Sequence, residues 1–217
     1  VRILYFYTKA DYFDETVMKI LLKEFSERSP SEQSMYSMAM DHLSICMTTL
    51  SNLSDRRIDR FMDKNHSNQL PAFLCLENPG LRLGLMGGQF MSASLTAENR
   101  SLCNPVSIQS LTSTGDFQDI VSLGLIAGRR AQEIYENSCY VLAFELLCGV
   151  QAAEIRGSNL LSSATKEVFN MVRKYVPYLS TDQCLTDYLE KLADIIKTGA
   201  LLQEVEKIQG RIPFMKE

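Results

Sequence analysis

Residues 138–153 read Ser-Cys-Tyr-Val-Leu-Ala-Phe-Glu-Leu-Leu-Cys-Gly-Val-Gln-Ala-Ala. From Cys139 to Val150 almost every position is apolar or small, so a helix here is hydrophobic around its circumference instead of along one stripe. Such a helix needs cover on all sides. A chain of 217 residues can hardly surround a long one by itself, so the run predicts an oligomeric bundle of long helices. Glu145 interrupts it, and the run falls short of the roughly 20 apolar residues that span a bilayer.

The same helix is expected to extend over residues 117–155. Thr112, Ser113, Thr114, Gly115 and Asp116 are a cluster of capping types just ahead of it, and Asp116 and Asp119 place negative charge where the helix dipole favours it. Residues 35–63 carry no Pro or Gly and keep Met38, Leu43, Cys46, Leu50, Leu53, Ile58 and Phe61 at helical spacing. A further helix is expected over residues 85–102, stopped by Asn104-Pro105. Short helices follow near 163–176 and 182–197, punctuated by Pro177 and Gly199. At the start, an aromatic strand-like run (residues 3–7) precedes a short amphipathic helix near 14–26. The chain thus reads as all-α in three regions: residues 1–33, a helical core over 34–156, and a helical cap over 157–217.

Apolar residues make up 46% and charged residues 22%, with a net charge of −4. That balance gives a folded chain a real core and offers no general attraction to nucleic acid or anionic lipid. Neither partner is expected. The six cysteines form no Cys-x-x-Cys pair and mostly fall in apolar runs, which suits reduced thiols and a cytoplasmic setting. His42 and His66 have no Cys or second His at ligand spacing, so no metal is expected. Gly87-Gly88 lacks the order and preceding strand of a phosphate loop, and close helix packing is the better use for it.

Five segments carry a more specific signal: Leu53-Ser54-Asp55-Arg56-Arg57-Ile58, Leu70-Pro71-Ala72-Phe73-Leu74, Pro79-Gly80-Leu81, Asn104-Pro105-Val106-Ser107 through Gly115-Asp116-Phe117-Gln118-Asp119, and Gln151-Ala152-Ala153-Glu154-Ile155-Arg156. In this order and spacing they resemble the C-terminal half of the aromatic amino acid ammonia-lyases and aminomutases, the group of the histidine, phenylalanine and tyrosine ammonia-lyases. The resemblance begins at about Tyr36. It implies an all-α long-helix bundle and a homotetramer, or co-assembly with an N-terminal lyase half. It also implies an aromatic amino acid substrate and a methylidene-imidazolone prosthetic group.

Phe117 and Gln118 are the candidate substrate-binding residues that the resemblance supplies. Gln118 stands where phenylalanine and tyrosine enzymes have Asn-Gln-Asp and histidine enzymes have Gln-Glu-Asp, so the chain is more similar to the phenylalanine/tyrosine branch. Phe117 departs from the usual Asn. At a helix start, Gln118 would meet free backbone N–H donors and hold a polar substrate without adding a buried charge; alternatively it merely caps or solvates that start. Asp119 is better read as a helix-terminal charge than as a base.

Three elements of the family are missing, the first being a Gly-x-Phe-His-Gly element with its pocket phenylalanine, in whose place this chain has Pro30-Ser31-Glu32-Gln33. The prosthetic group is built from an internal Ala-Ser-Gly, which occurs nowhere in the 217 residues. The Tyr-Ser-x-Arg segment, whose tyrosine resembles the base and whose arginine grips the substrate carboxylate, is also absent. The expectation is the C-terminal portion of an aromatic amino acid ammonia-lyase or 2,3-aminomutase, inactive alone and carrying no catalytic residue of its own. The alternative is a non-catalytic helical assembly or regulatory subunit derived from the same scaffold.

Overall fold

The computed structural model describes residues 29–210. The aromatic run and short helix expected before residue 29 lie outside the described residues. Six α-helices follow: α1 (Pro30–Met62), α2 (Met86–Leu102), α3 (Gly124–Arg156), α4 (Ser163–Tyr175), α5 (Thr186–Lys197) and α6 (Ala200–Gln209). No strand occurs among the described residues, so the all-α expectation holds.

Local chemistry sets several helix ends. Before α1, the Ser29 N–H and hydroxyl both donate to the Glu32 carboxylate, at 3.0 and 2.7 Å, the carboxylate half of a cap of the Ser-x-x-Glu type. Asn104-Pro105 follows α2 as expected. Before α4, Ser162 Oγ accepts from Thr165 N. Gly199, with φ +68°, turns the chain from α5 into α6, a left-handed position that favours glycine. The sequence reading did not anticipate α6 as a separate helix.

Two expected starts are corrected. Helix α3 begins at Gly124, not near Phe117, because Thr114, Gly115 and Asp116 all take positive φ and make a turn. Helix α5 begins at Thr186, not at Asp182. The Asp182 carboxylate instead accepts from the backbone N–H groups of Leu83 and Gly84, both at 2.9 Å.

The chain divides into two compact units, each drawn from separated stretches. One comprises Leu53–Ser94 with the described part of Cys139–Glu217; the other comprises Leu95–Ser138 with the described part of Tyr12–Asn52. In the first unit Val141, Ala143, Phe144, Leu147 and Cys148 are at most 1% exposed within the single chain. One side of this helix is thus covered within the single chain. Tyr140, Glu145, Leu146, Gly149 and Ala153 are left half-covered. Helix α3 is long and apolar enough to cross a bilayer, yet 61% of its most apolar window is buried within the protein. Arg57 holds Glu145 through a two-pronged ion pair, with Nη2 to Oε2 at 2.7 Å and Nε to Oε1. These are features of a core helix.

The buried stripe of α1 is also not the apolar one expected. Met38 and Leu53 are 59% and 49% exposed, whereas Ser37, Asp41, Ser44, Thr48, Ser51 and Asp55 are buried. Their alternating spacing of four and three residues continues into buried Ile58 and Met62, a seam of heptad type built mostly from small polar side chains.

Candidate functional site: the loop before helix α3

Phe117 and Gln118 sit on a tight turn before α3. Ser113 N donates to Gln118 O at 3.1 Å and Gln118 N to Ser113 O at 3.3 Å, an isolated antiparallel bridge. Thr114, Gly115 and Asp116, with φ of 54°, 62° and 66°, close the chain between them. The side-chain types read as a helix cap serve here as turn formers, since Asp, Thr and Gly favour both.

The turn fixes the backbone of Gln118 and leaves its side chain exposed, with no hydrogen bond among the described residues. Phe117 is 86% exposed. Nearby in sequence, Ile108, Leu111, Ile120 and Leu125 are 72%, 66%, 60% and 51% exposed. So many apolar side chains left uncovered on one short segment mark a surface built to be covered.

The anchors of this loop lie in its own unit. Asp41, buried in α1, accepts from Ser107 N at 2.8 Å. Ser110 Oγ accepts from Val121 N at 2.9 Å, and Arg130 donates to Asn104 O at 3.1 Å. Deeper in the unit, Asn99 of α2 joins three helices. Its amide donates to Ser51 Oγ of α1 and Ser138 Oγ of α3, both at 3.2 Å, and its side-chain oxygen accepts from Asn137 at 3.1 Å. Thr48 Oγ1 donates to the Asn99 carbonyl at 3.3 Å. A fully satisfied buried network of this kind fixes helix register. The Ser and Thr of α1 recur at heptad spacing in the sequence, but their partners on the other helices do not follow from that spacing.

The remaining candidates fall elsewhere. Asp119 is exposed and lies before, not within, the first turn of α3. His42 is exposed, and His66 Nδ1 lies 2.7 Å from Asp63 Oδ2. Backbone donation from Asn65, followed by the contact with His66, holds the Asp63 carboxyl below the usual range. Among the described residues no group of three or more His, Cys, Asp or Glu could hold a metal ion. Gly88 packs against Phe144, as close helix packing requires, while Gly87 faces open space.

The family model of the aromatic amino acid lyases matches residues 31–174. A tyrosine ammonia-lyase of Cupriavidus metallidurans is 47% identical over 168 residues, covering 77% of this chain and 32% of that protein. A histidine ammonia-lyase of Natranaerobius thermophilus is 38% identical over 176 residues, covering 81% of this chain and 34% of its own length. Among solved structures, the phenylalanine aminomutase of Pantoea agglomerans superposes with a TM-score of 0.73 at 59% identity, over 75% of this chain and 32% of that one. The chain spans about a third of the length of the curated relatives it matches. It belongs to the aromatic amino acid lyase family.

Proposed function

We propose that this member of the aromatic amino acid lyase family is the C-terminal portion of an aromatic amino acid ammonia-lyase or 2,3-aminomutase of the phenylalanine/tyrosine type. Phe117 and Gln118 form one wall of its substrate pocket. The observation that carries this reading is the loop itself. A bridged, anchored turn presents an aromatic ring and an unpartnered neutral amide outward, beside uncovered apolar residues. Rigid backbone with unsatisfied side chains is the condition of half a binding site. The similarity to a phenylalanine aminomutase and a tyrosine ammonia-lyase supports the substrate class.

The family depends on the methylidene-imidazolone group, which when present supplies the electrophile for the substrate amine. The residues of this chain do not fit the making of that group, because no Ala-Ser-Gly is present to cyclise. No step through it is assigned to them. What they do is orient and exclude. The Phe117 ring offers an apolar face to an aromatic substrate, the Gln118 amide donates to or accepts from polar substrate groups without charge, and the apolar neighbours keep water out. A complementary segment must provide the base as well.

The test combines the chain with an N-terminal half of a family member carrying Ala-Ser-Gly and Tyr-Ser-x-Arg, following arylacrylate absorbance and particle mass together. Neither half is active alone on this reading, and activity accompanies co-assembly. Co-assembly without activity for any aromatic amino acid would favour the second reading, a non-catalytic assembly or regulatory subunit, which the missing tripeptide supports.

A further inference from the structure

The loop that presents Phe117 and Gln118 is held at both ends by one face of α1. Gln33, Ser37 and Asp41 are spaced four residues apart, so their side chains share that face. At the start of the loop the Asp41 carboxylate accepts from Ser107 N at 2.8 Å. At its end Ser122 Oγ donates to Gln33 Oε1 at 3.5 Å, a long contact. Ser37 Oγ, buried between the two, has no hydrogen-bond partner among the described residues.

Asp41 is the costly member of this row. It is 6% exposed, and the Ser107 N–H is the one partner of its carboxylate among the described residues. Further along the same buried stripe the chain uses small hydroxyls, at Ser44, Thr48 and Ser51. Burying a carboxylate costs more than burying a hydroxyl, so helix packing alone gives no reason for an acid here. The N–H that it holds supplies one. Ser107 opens a short 3-10 turn, Ser107–Gln109, whose first N–H groups find no acceptor within the turn. A hydrogen bond from such a group to a carboxylate is stronger than one to a neutral oxygen, and it pins the backbone where the loop leaves α2.

We infer that Asp41 is a positioning residue: its carboxylate fixes the backbone at Ser107, so that the bridged turn carrying Phe117 and Gln118 is presented in one orientation. The inference rests on the reading of those two residues as a pocket wall. Asp41 acts on them through the backbone and is hydrogen-bonded to neither.

The test has two arms. In the chain alone, amide hydrogen exchange read by mass spectrometry follows the peptides that cover residues 107–121. Asp41→Ala should speed exchange there about tenfold through loss of one charge-assisted hydrogen bond. Asp41→Asn keeps an acceptor oxygen and should restore most of the protection. Met47→Ala, which opens a cavity beneath the same helix, should lower the unfolding midpoint without singling out those peptides, and Ser37→Ala should leave them unchanged. Exchange indifferent to Asp41→Ala, or raised equally by Met47→Ala or by Asp41→Asn, would overturn the inference. In the enzyme co-assembled with an N-terminal half, Asp41→Ala should raise KM for phenylalanine or tyrosine about tenfold with a smaller change in kcat, while Asp41→Asn stays close to the parent. A loosened loop with neither constant moved, or with kcat alone lowered, would also overturn it. A parent co-assembly that is inactive while Asp41→Ala still loosens the loop would defeat the lyase reading and leave the hold of Asp41 on the loop supported.

Discussion

Gly88 of α2 lies directly against the ring of Phe144 of α3, so closely that a Cβ at Gly88 would overlap Cε2 and Cζ of that ring. Phe144 is itself fully buried, and the ring has nowhere to retreat. Gly88→Ala should therefore destabilise the chain by about 1 to 3 kcal/mol through overpacking, outweighing the roughly 1 kcal/mol that Ala normally gains over Gly in a helix. Gly87→Ala meets nothing within 4 Å and should stabilise by roughly 0.5 to 1 kcal/mol. Urea unfolding of the pair reads both signs, and equal behaviour would refute the contact.

Asn99 should be sensitive to small changes. Asn99→Leu strands the hydroxyl of Ser138 and takes one of two partners from the Ser51 hydroxyl and the Asn137 amide, which keep Thr96 and Glu98, and is expected to cost about 1 to 3 kcal/mol. Asn99→Asp keeps the shape but loses the two donors. A buried carboxyl without a cation has its pKa raised, so the variant is least affected at acid pH and loses stability as pH rises above about 4. Denaturation midpoints at several pH values check this.

The Arg57–Glu145 pair should show strong coupling. Arg57→Ala leaves the Glu145 carboxylate, only 16% exposed, beside apolar α3 residues. Arg57 is itself 34% exposed, so the cost is expected near 2 kcal/mol, below that of a fully buried pair. The double variant Arg57→Ala with Glu145→Leu should cost less than the two single changes summed. Simple additivity in a double-mutant cycle would show that the pair does not interact.

Thiol reactivity should separate Cys184 from Cys148. Hydrogen bonding from Thr186 pulls the exposed Cys184 thiol below its ordinary pKa. Burial, then the charge of Glu145, pushes Cys148 well above it. N-ethylmaleimide should modify Cys184 first in the folded chain, since the thiolate is the nucleophile. Cys148 should react only on unfolding, as peptide mass spectrometry of a time course would reveal.

Gln118→Glu should leave the stability of the chain within about 0.5 kcal/mol, because the side chain is exposed and unpartnered. In the co-assembled enzyme the same change should lower turnover of neutral aromatic substrates, since a carboxylate buried at the interface needs a compensating charge. Unchanged kcat and KM on phenylalanine and tyrosine would remove Gln118 from the pocket.

The long helices were legible because their signals are local. Freedom from Pro and Gly in α1 after Pro30, Asn104-Pro105 after α2, the apolar run of α3 and Pro177 after α4 act through neighbours along the chain, where sequence and geometry coincide. Residues with two local uses were not legible: Thr114, Gly115 and Asp116 could cap a helix or close a turn, and Asp182 could cap α5 or hold Leu83 and Gly84. Distant partners chose between those uses. Tertiary packing alone turned the Ser and Thr positions of α1 inward while leaving Met38 and Leu53 outside. Small hydroxyls can be buried only where Asn99 and its neighbours supply hydrogen bonds from other helices, and no property of α1 by itself announces those partners.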